Sequence, residues 1–311
     1  IDGPMTFDLS LLGRPALSSL SGAVNLRGGR ISDPIFRLAF EGVTADAALA
    51  DGTATLTANA AIRDGGSVEI AGPVSLSQPV TADLDIRLDA ARLRDPNLYD
   101  TTATGTLRLS GPLNSGARVS GSVTLGPTEI RIPSTGFGTN PVLAEIRHRG
   151  DRPGVRATRA RAGLEGASGP DSKGGTQPLA LDIAVSAPTQ IFVRGRGLDA
   201  ELGGALRILG TTANVTPEGQ FDLIRGRLDL LGKRFVIDEG LVALQGALVP
   251  YVRFAASSST DGVTATIVVE GRATEPTIRF ESSPDLPEEE IVAQLLFGRD
   301  LGSLSVFQAA Q

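Results

Sequence analysis

The stretch ADLDIRLDA, residues 82–90, sets Leu84, Ile86 and Leu88 on one side of an extended chain and Asp83, Asp85, Arg87 and Asp89 on the other. Successive side chains of a strand point to opposite faces, so this pattern makes one dry face and one wet face. The same alternation recurs in VSGSVTLG (119–126), with Val119, Val123 and Leu125 against Ser120, Ser122 and Thr124. LALDIAVSA (179–187) repeats it through Leu179, Leu181, Ile183 and Val185, and GVTATIVVEG (262–271) through Val263, Ala265, Ile267 and Val269. Glycine-rich turns such as RDGG, LSGPLNSG and PEGQ separate the segments at the spacing of an all-β stack. Roughly twenty strands, mostly joined by short hairpins, are expected.

Composition narrows the class. The chain has 311 residues, 41% of them hydrophobic, but with no Trp, two Tyr and eleven Phe the apolar side chains are mostly small aliphatics. Thirty-eight Gly and nineteen Pro agree with many turns. A net charge of −6 argues against nucleic acid, which calls for a basic face. With no Cys, disulfides, thiolate metal sites and a cysteine nucleophile are excluded. No apolar run reaches the eighteen residues of a membrane span, and the opening IDGPMTFDLS has neither a signal peptide nor an initiator Met, so the chain reads as a piece of something longer.

Alternation fades once, from Arg147 to Gln177, where Gly, Ser, Pro and Arg crowd together. It divides the chain into a β segment at 1–146, a flexible loop at 147–177 and a second β segment at 178–311, which alternation alone could equally join into one continuous domain. The loop's arginines (Arg147, Arg149, Arg152, Arg156, Arg159 and Arg161) suit either a solvated loop or contact with anionic lipid headgroups.

A search for chemistry returns little. Catalysis gathers titratable groups at one place, and the lone His148 sits among arginines with no second His for a metal and no nucleophile motif beside it. VRGRGL, residues 193–198, superficially resembles a glycine-rich phosphate loop, but no helix follows, so a tight β-turn is expected. The chain reads as a non-enzyme with no cofactor, a bound phospholipid or other acyl-chain ligand being the one candidate.

So many half-dry strands must hide their apolar faces, because exposure costs about 25 cal/mol per Å². A sandwich fills the space with side chains; a sheet curled over its own face leaves an aliphatic groove. Alternation does not separate the two, and by itself weighs toward the sandwich.

SSPDLPEEEIVAQLLFGRD, residues 282–300, breaks the pattern. Ile291, Val292, Leu295, Leu296 and Phe297 follow helical spacing behind Pro287 and three glutamates, predicting a short helix near 287–297. Asp285 and Glu288 read as a capping box, with Gly298 closing the other end. Its apolar stripe serves as a plug over an open sheet end or as a docking element for a partner.

From residue 191 onward the chain resembles the C-terminal domain of the TamB family, AsmA-like components of the translocation and assembly module of Gram-negative bacteria. The carrying stretches are IFVRGRGLDAELGGALRILG, GQFDLIRGRLDLLGKRFVIDEGLVALQG, PYVRFAASS and VEGRATEPTIRFESSPDLPEEEIVAQLLFGRD, including turns at Gly240 and Gly246. The resemblance implies an elongated, curled, antiparallel-rich sheet, a β-taco whose apolar groove runs lengthwise. It implies a periplasmic location in a protein anchored in the inner membrane, a TamA-type outer-membrane barrel as partner of the full-length chain, and a role in outer-membrane protein assembly or in moving phospholipid between membranes. The family's chain normally runs on past LSVFQAAQ, so barrel binding through the final strands is expected of the longer protein. On this reading the groove candidates are Leu84, Ile86, Leu107, Val123, Ile183, Val185, Leu228, Leu230, Phe235, Ile237, Ile267 and Val269. The rival readings are a chaperone-like module offering a β-edge to nascent outer-membrane proteins, and a passive structural β-protein.

Overall fold

The computed structural model describes residues 2–11, 13–33, 38–132, 177–230, 232–260 and 262–297. Alternating segments pair into a single sheet. The first half supplies β1 (Met5–Leu11), β2 (Leu20–Asp33), β3 (Leu38–Ala50), β4 (Thr53–Ile62), β5 (Ser67–Ser75), β6 (Thr81–Asp95), β7 (Tyr99–Pro112), β8 (Arg118–Leu125) and β9 (Thr128–Arg131). The second supplies β10 (Ala180–Gly195), β11 (Leu198–Thr211), β12 (Asn214–Leu230), β13 (Lys233–Gln245), β14 (Tyr251–Thr260), β15 (Val263–Arg272) and β16 (Glu275–Ser283). One helix, α1 (Glu288–Phe297), follows. Among the described residues these sixteen strands follow one another through the sheet in chain order, neighbours antiparallel except around one step. The weighting toward a sandwich is thereby corrected: the described residues form one sheet, not two facing ones.

The exception lies in the middle. β8 and β9 run in line, both antiparallel to β7 and both parallel to β10. A parallel neighbour requires the chain to travel back along the strand before re-entering the sheet. Ile132 donates to the Arg194 carbonyl at one end of β10, and Ala180 donates to the Ala117 carbonyl at the other. The sheet is thus continuous across the step. Residues 133–176, which hold His148, the arginines from Arg147 to Arg161 and nearly all of the expected loop, lie outside the described residues.

Register keeps the apolar parity aligned across the sheet. One row reads Ile70, Ile86, Leu107, Gly121, Ile183, Ile208 and Pro217; the next reads Val68, Leu88, Gly105, Val123, Val185, Leu206, Gly219 and Leu244. Glycines punctuate both rows. At Gly121 (φ +141°) a Cβ would lie 2.3 Å from the Thr106 carbonyl oxygen, and at Gly219 (φ +148°) 2.4 Å from that of Ala205. Only glycine accepts that backbone, and glycine kinks of this kind are a means by which a sheet is curved. Bulges between Leu88 and Ala91, and between Ala187 and Ile191, bend it further while returning apolar residues to the inner face.

Three apolar clusters line that face. The first joins Ile62, Ala91, Ala103 and Val123 with half-buried Phe40, Leu107 and Ile183. The middle one centres on Ala187, Ile191 and Leu202, and the last on Phe235, Ile237, Ala256, Ile267 and Ile291. Leu125 belongs to the first and middle clusters, and Leu223 and Phe254 to the middle and last, so the three form one uninterrupted ribbon.

The outer face is a lattice of cross-strand ion pairs. Arg108 grips Asp83 with two hydrogen bonds of 2.6 Å, Arg92 holds Asp100, Arg207 holds Asp182, and Arg225 reaches Glu201 at 2.7 Å. The exposed pairs, Arg108–Asp83 and Arg207–Asp182, each stabilise by roughly 0–1 kcal/mol, while Glu201 and Asp100 are more deeply set. Together the pairs fix strand register and keep the outside wet.

Helix α1 starts differently from expectation. Pro287 takes the capping position in place of the Asp285–Glu288 box: its carbonyl accepts the N–H groups of Glu290 and Ile291. Ser282 sets the approach, its hydroxyl donating to the Pro284 carbonyl and accepting from the Leu286 N–H. The three glutamates of the first turn complement the helix dipole. Ile291 is buried against the last cluster and Val292 is half-buried. The side chains of Leu295, Leu296 and Phe297, and all of Gly298, lie outside the described residues.

Candidate functional site: an apolar groove

Beneath the middle cluster the ribbon opens into a cavity of about 530 Å³. Its walls come from both sides of the parallel step. Leu125, Thr128, Ile130 and Ile132 face Val242, Leu244, Val252 and Phe254, with Ile191, Leu202 and Phe221 between them. In a flat sheet β9 and β14 would stand about 24 Å apart, five spacings of roughly 4.8 Å. They close on one cavity because the sheet is curled. The volume falls in the ~300–1,000 Å³ range of small-molecule sites.

The lining is almost wholly hydrocarbon, and its hydroxyls come from Thr128 and Thr274. Thr128 is already satisfied: its hydroxyl lies 2.6 Å from that of Thr101 and donates to the Gly126 carbonyl at 2.9 Å. A ligand would therefore meet methyl and methylene groups and no charge. Each methylene moved from water into such walls gains about 0.8 kcal/mol. A hydrocarbon chain placing on the order of ten methylenes inside gains about 8 kcal/mol before ordering costs. Two polar depressions on the outer face, about 370 and 390 Å³, present arginines already engaged: Arg194 with Asp199, Arg225 with Glu201 and Arg87 with Glu69.

The structure puts the groove candidates on the inner face but not around this cavity. Leu107, Val123 and Ile183 pack in the first cluster, while Leu228, Phe235, Ile237, Ile267 and Val269 pack in the last. Leu84 is buried, and Ile86 and Val185 are half-buried, in the rows that join them. Leu230 shares the parity of Leu228 but sits at the very end of β12, opposite Lys233 beside the closing turn, and is 39% exposed. Gly240 is a correction. It lies within β13 rather than in a turn, where an added Cβ would come within 3.0 Å of the Phe254 ring and 2.8 Å of the Leu223 Cβ. Gly246 does sit between strands.

VRGRGL closes as a tight hairpin. Gly195 pairs with Leu198, and Arg196 (φ 52°) and Gly197 (φ 85°) both take the left-handed conformation of a two-residue turn. The cavity residues missed by sequence reasoning were visible only as inward members of alternating strands. Phe221 and Phe254, two of the eleven phenylalanines, were the one available signal.

Comparisons with known proteins give the chain's relatives. A family model described as the TamB C-terminal domain matches residues 55–311. The curated protein "Translocation and assembly module subunit TamB" of Haemophilus influenzae is 26% identical over 128 residues, covering 39% of this chain and 10% of that protein. The chain thus spans about a tenth of the curated relative it matches.

Proposed function

This chain belongs to the TamB C-terminal domain family, and from that premise we propose that it is a non-catalytic, periplasmic segment of an envelope-spanning protein whose groove carries phospholipid acyl chains between inner and outer membrane. The observation that carries the proposal is the uninterrupted apolar ribbon with a charge-free cavity at its centre that the chain's own side chains do not occupy. A passive structural protein would be expected to pack such a space with its own side chains, since each lost packing contact forfeits dispersion energy. The wet, ion-paired exterior leaves headgroups at the open seam and chains inside. In the longer protein a TamA-type barrel is the proposed partner at the outer membrane. Among the described residues, no helix is long and apolar enough to cross a bilayer.

A second reading rests on β16. Among the described residues it pairs only with β15, and most of its residues are exposed. Its outer backbone edge suits addition of a strand from a nascent outer-membrane protein.

The test is to purify this chain from bacteria without detergent and measure bound phospholipid by native mass spectrometry. Phospholipid on the wild type, lost in a folded Phe221→Asp variant, is expected. A folded wild type free of lipid refutes the conduit. Cross-links from β16 that capture barrel precursors would then favour the edge reading.

A further inference from the structure

We infer that the turn between β13 and β14 is a side door to the cavity, an apolar lip past which one hydrocarbon chain moves while its polar head stays in water. This rests on the acyl-chain reading and adds where the chain crosses the wall. The turn reads GALVP, residues 246–250, and Leu248, Val249 and Pro250 all line the cavity. Leu248 is at the same time 72% exposed. A lone exposed leucine needs no explanation, but this one continues an apolar wall outward to solvent, the arrangement expected of an interaction site.

The turn is pinned at its ends and free between them. The Gly246 N–H donates to the Pro217 carbonyl at 2.8 Å, and the Pro250 carbonyl accepts from the Ala273 N–H at 2.9 Å. Among the described residues, no backbone hydrogen bond ties Ala247, Leu248 or Val249. Those three residues can swing without breaking a ladder bond, so opening there costs far less than opening the sheet. Gly246 (φ +86°) has open space around it on the side where a Cβ would stand.

The occupant is a hydrocarbon chain because the walls behind the lip are hydrocarbon apart from the Thr128 and Thr274 hydroxyls, so a charged or peptide segment would lose its water there without enough partners. Exposed Arg272 pairs with Tyr251 at the start of β14, and Thr274 lines the cavity while remaining exposed, positions suited to a polar head. End-to-end sliding along the groove therefore has a lateral exit at this turn.

Because the chain contains no cysteine, Leu248→Cys can be biotinylated at one site and capped with streptavidin. Ile224→Cys, on an exposed side chain of β12, serves as the capped control. Association and dissociation of cis-parinaric acid are followed by stopped-flow fluorescence. Capping Leu248→Cys should slow both rates about tenfold or more while leaving Kd within about twofold, and capping Ile224→Cys should change neither. Unchanged rates in the capped Leu248→Cys protein overturn the side door and leave the groove standing. A weaker Kd with an unchanged association rate also overturns it, since the turn is then wall and not door. If the uncapped wild type binds no cis-parinaric acid, the acyl-chain reading itself fails. Should uncapped Leu248→Cys fold poorly, Ala247→Cys carries the same label on the same turn.

Discussion

Phe235→Ala separates a filled groove from an open one at the C-terminal end. Phe235 is 1% exposed, packs with Leu228 opposite it on β12, and lies in the cluster of Ala200, Ile237, Ile267 and Ile291. Truncation loses a transfer contribution of roughly 1.5–3 kcal/mol and leaves a void. β13 is hydrogen-bonded to a neighbour on each side, so its backbone is held and cannot collapse into the space. The cost should therefore lie in the full range of about 3–5 kcal/mol for such truncations. A long sheet in which each strand touches mainly its neighbours need not unfold in one step, so a global midpoint is the wrong readout. Amide hydrogen exchange read by mass spectrometry resolves the region. At a factor of ten per 1.4 kcal/mol, exchange in β12 to β15 should rise by about a hundredfold to a few thousandfold. Peptides from β3 to β6 should not change. A rise of less than about fivefold, near 1 kcal/mol, would mean that Phe235 faces open space and that the packed core beneath α1 is wrong.

Other consequences follow from the coil and the charges. Gly219→Ala places a methyl 2.4 Å from the Ala205 carbonyl on a backbone that side chains rarely adopt, so β11 and β12 should separate locally at a cost of about 1–3 kcal/mol. Ordinary exchange protection in that hairpin would count against the coiling argument. For pH, hydrogen bonds from Arg108, Arg92 and Arg207 hold the Asp83, Asp100 and Asp182 carboxyls below their usual range, and one from the Tyr251 hydroxyl does the same for Glu270. A carboxyl lowered in the folded state contributes stability in full above its unfolded pKa of about 4 and loses it as pH falls through the lower, folded value. Thermal stability should be level from about pH 5 to 8 and fall below about pH 4, the fall weakening in high salt. A decline between pH 8 and 6 would contradict the assignment of these pairs as its source.

Alternation at 82–90, 119–126, 179–187 and 262–271 determined the strands and which residues of each face inward, because side-chain direction in a strand is a local property of the backbone. The change of period at 282–300 determined the helix, and the glycine in VRGRGL the turn at Arg196 and Gly197, for the same reason. What the alternation left open was whether facing walls meet. That depends on how far sixteen strands curl, and the curl accumulates from particular bulges and from glycines such as Gly121 and Gly219, whose effect appears only when register sets them against a neighbour's carbonyl. Hence Phe235 and Ile267 fill a core while Phe221 and Val242, of the same inward parity, border a void. Leu230 stands in water although its parity is right, because exposure at a strand's end is decided by what lies above it. The parallel step between β8 and β10 likewise rests on a pairing between segments more than fifty residues apart, which no local pattern encodes.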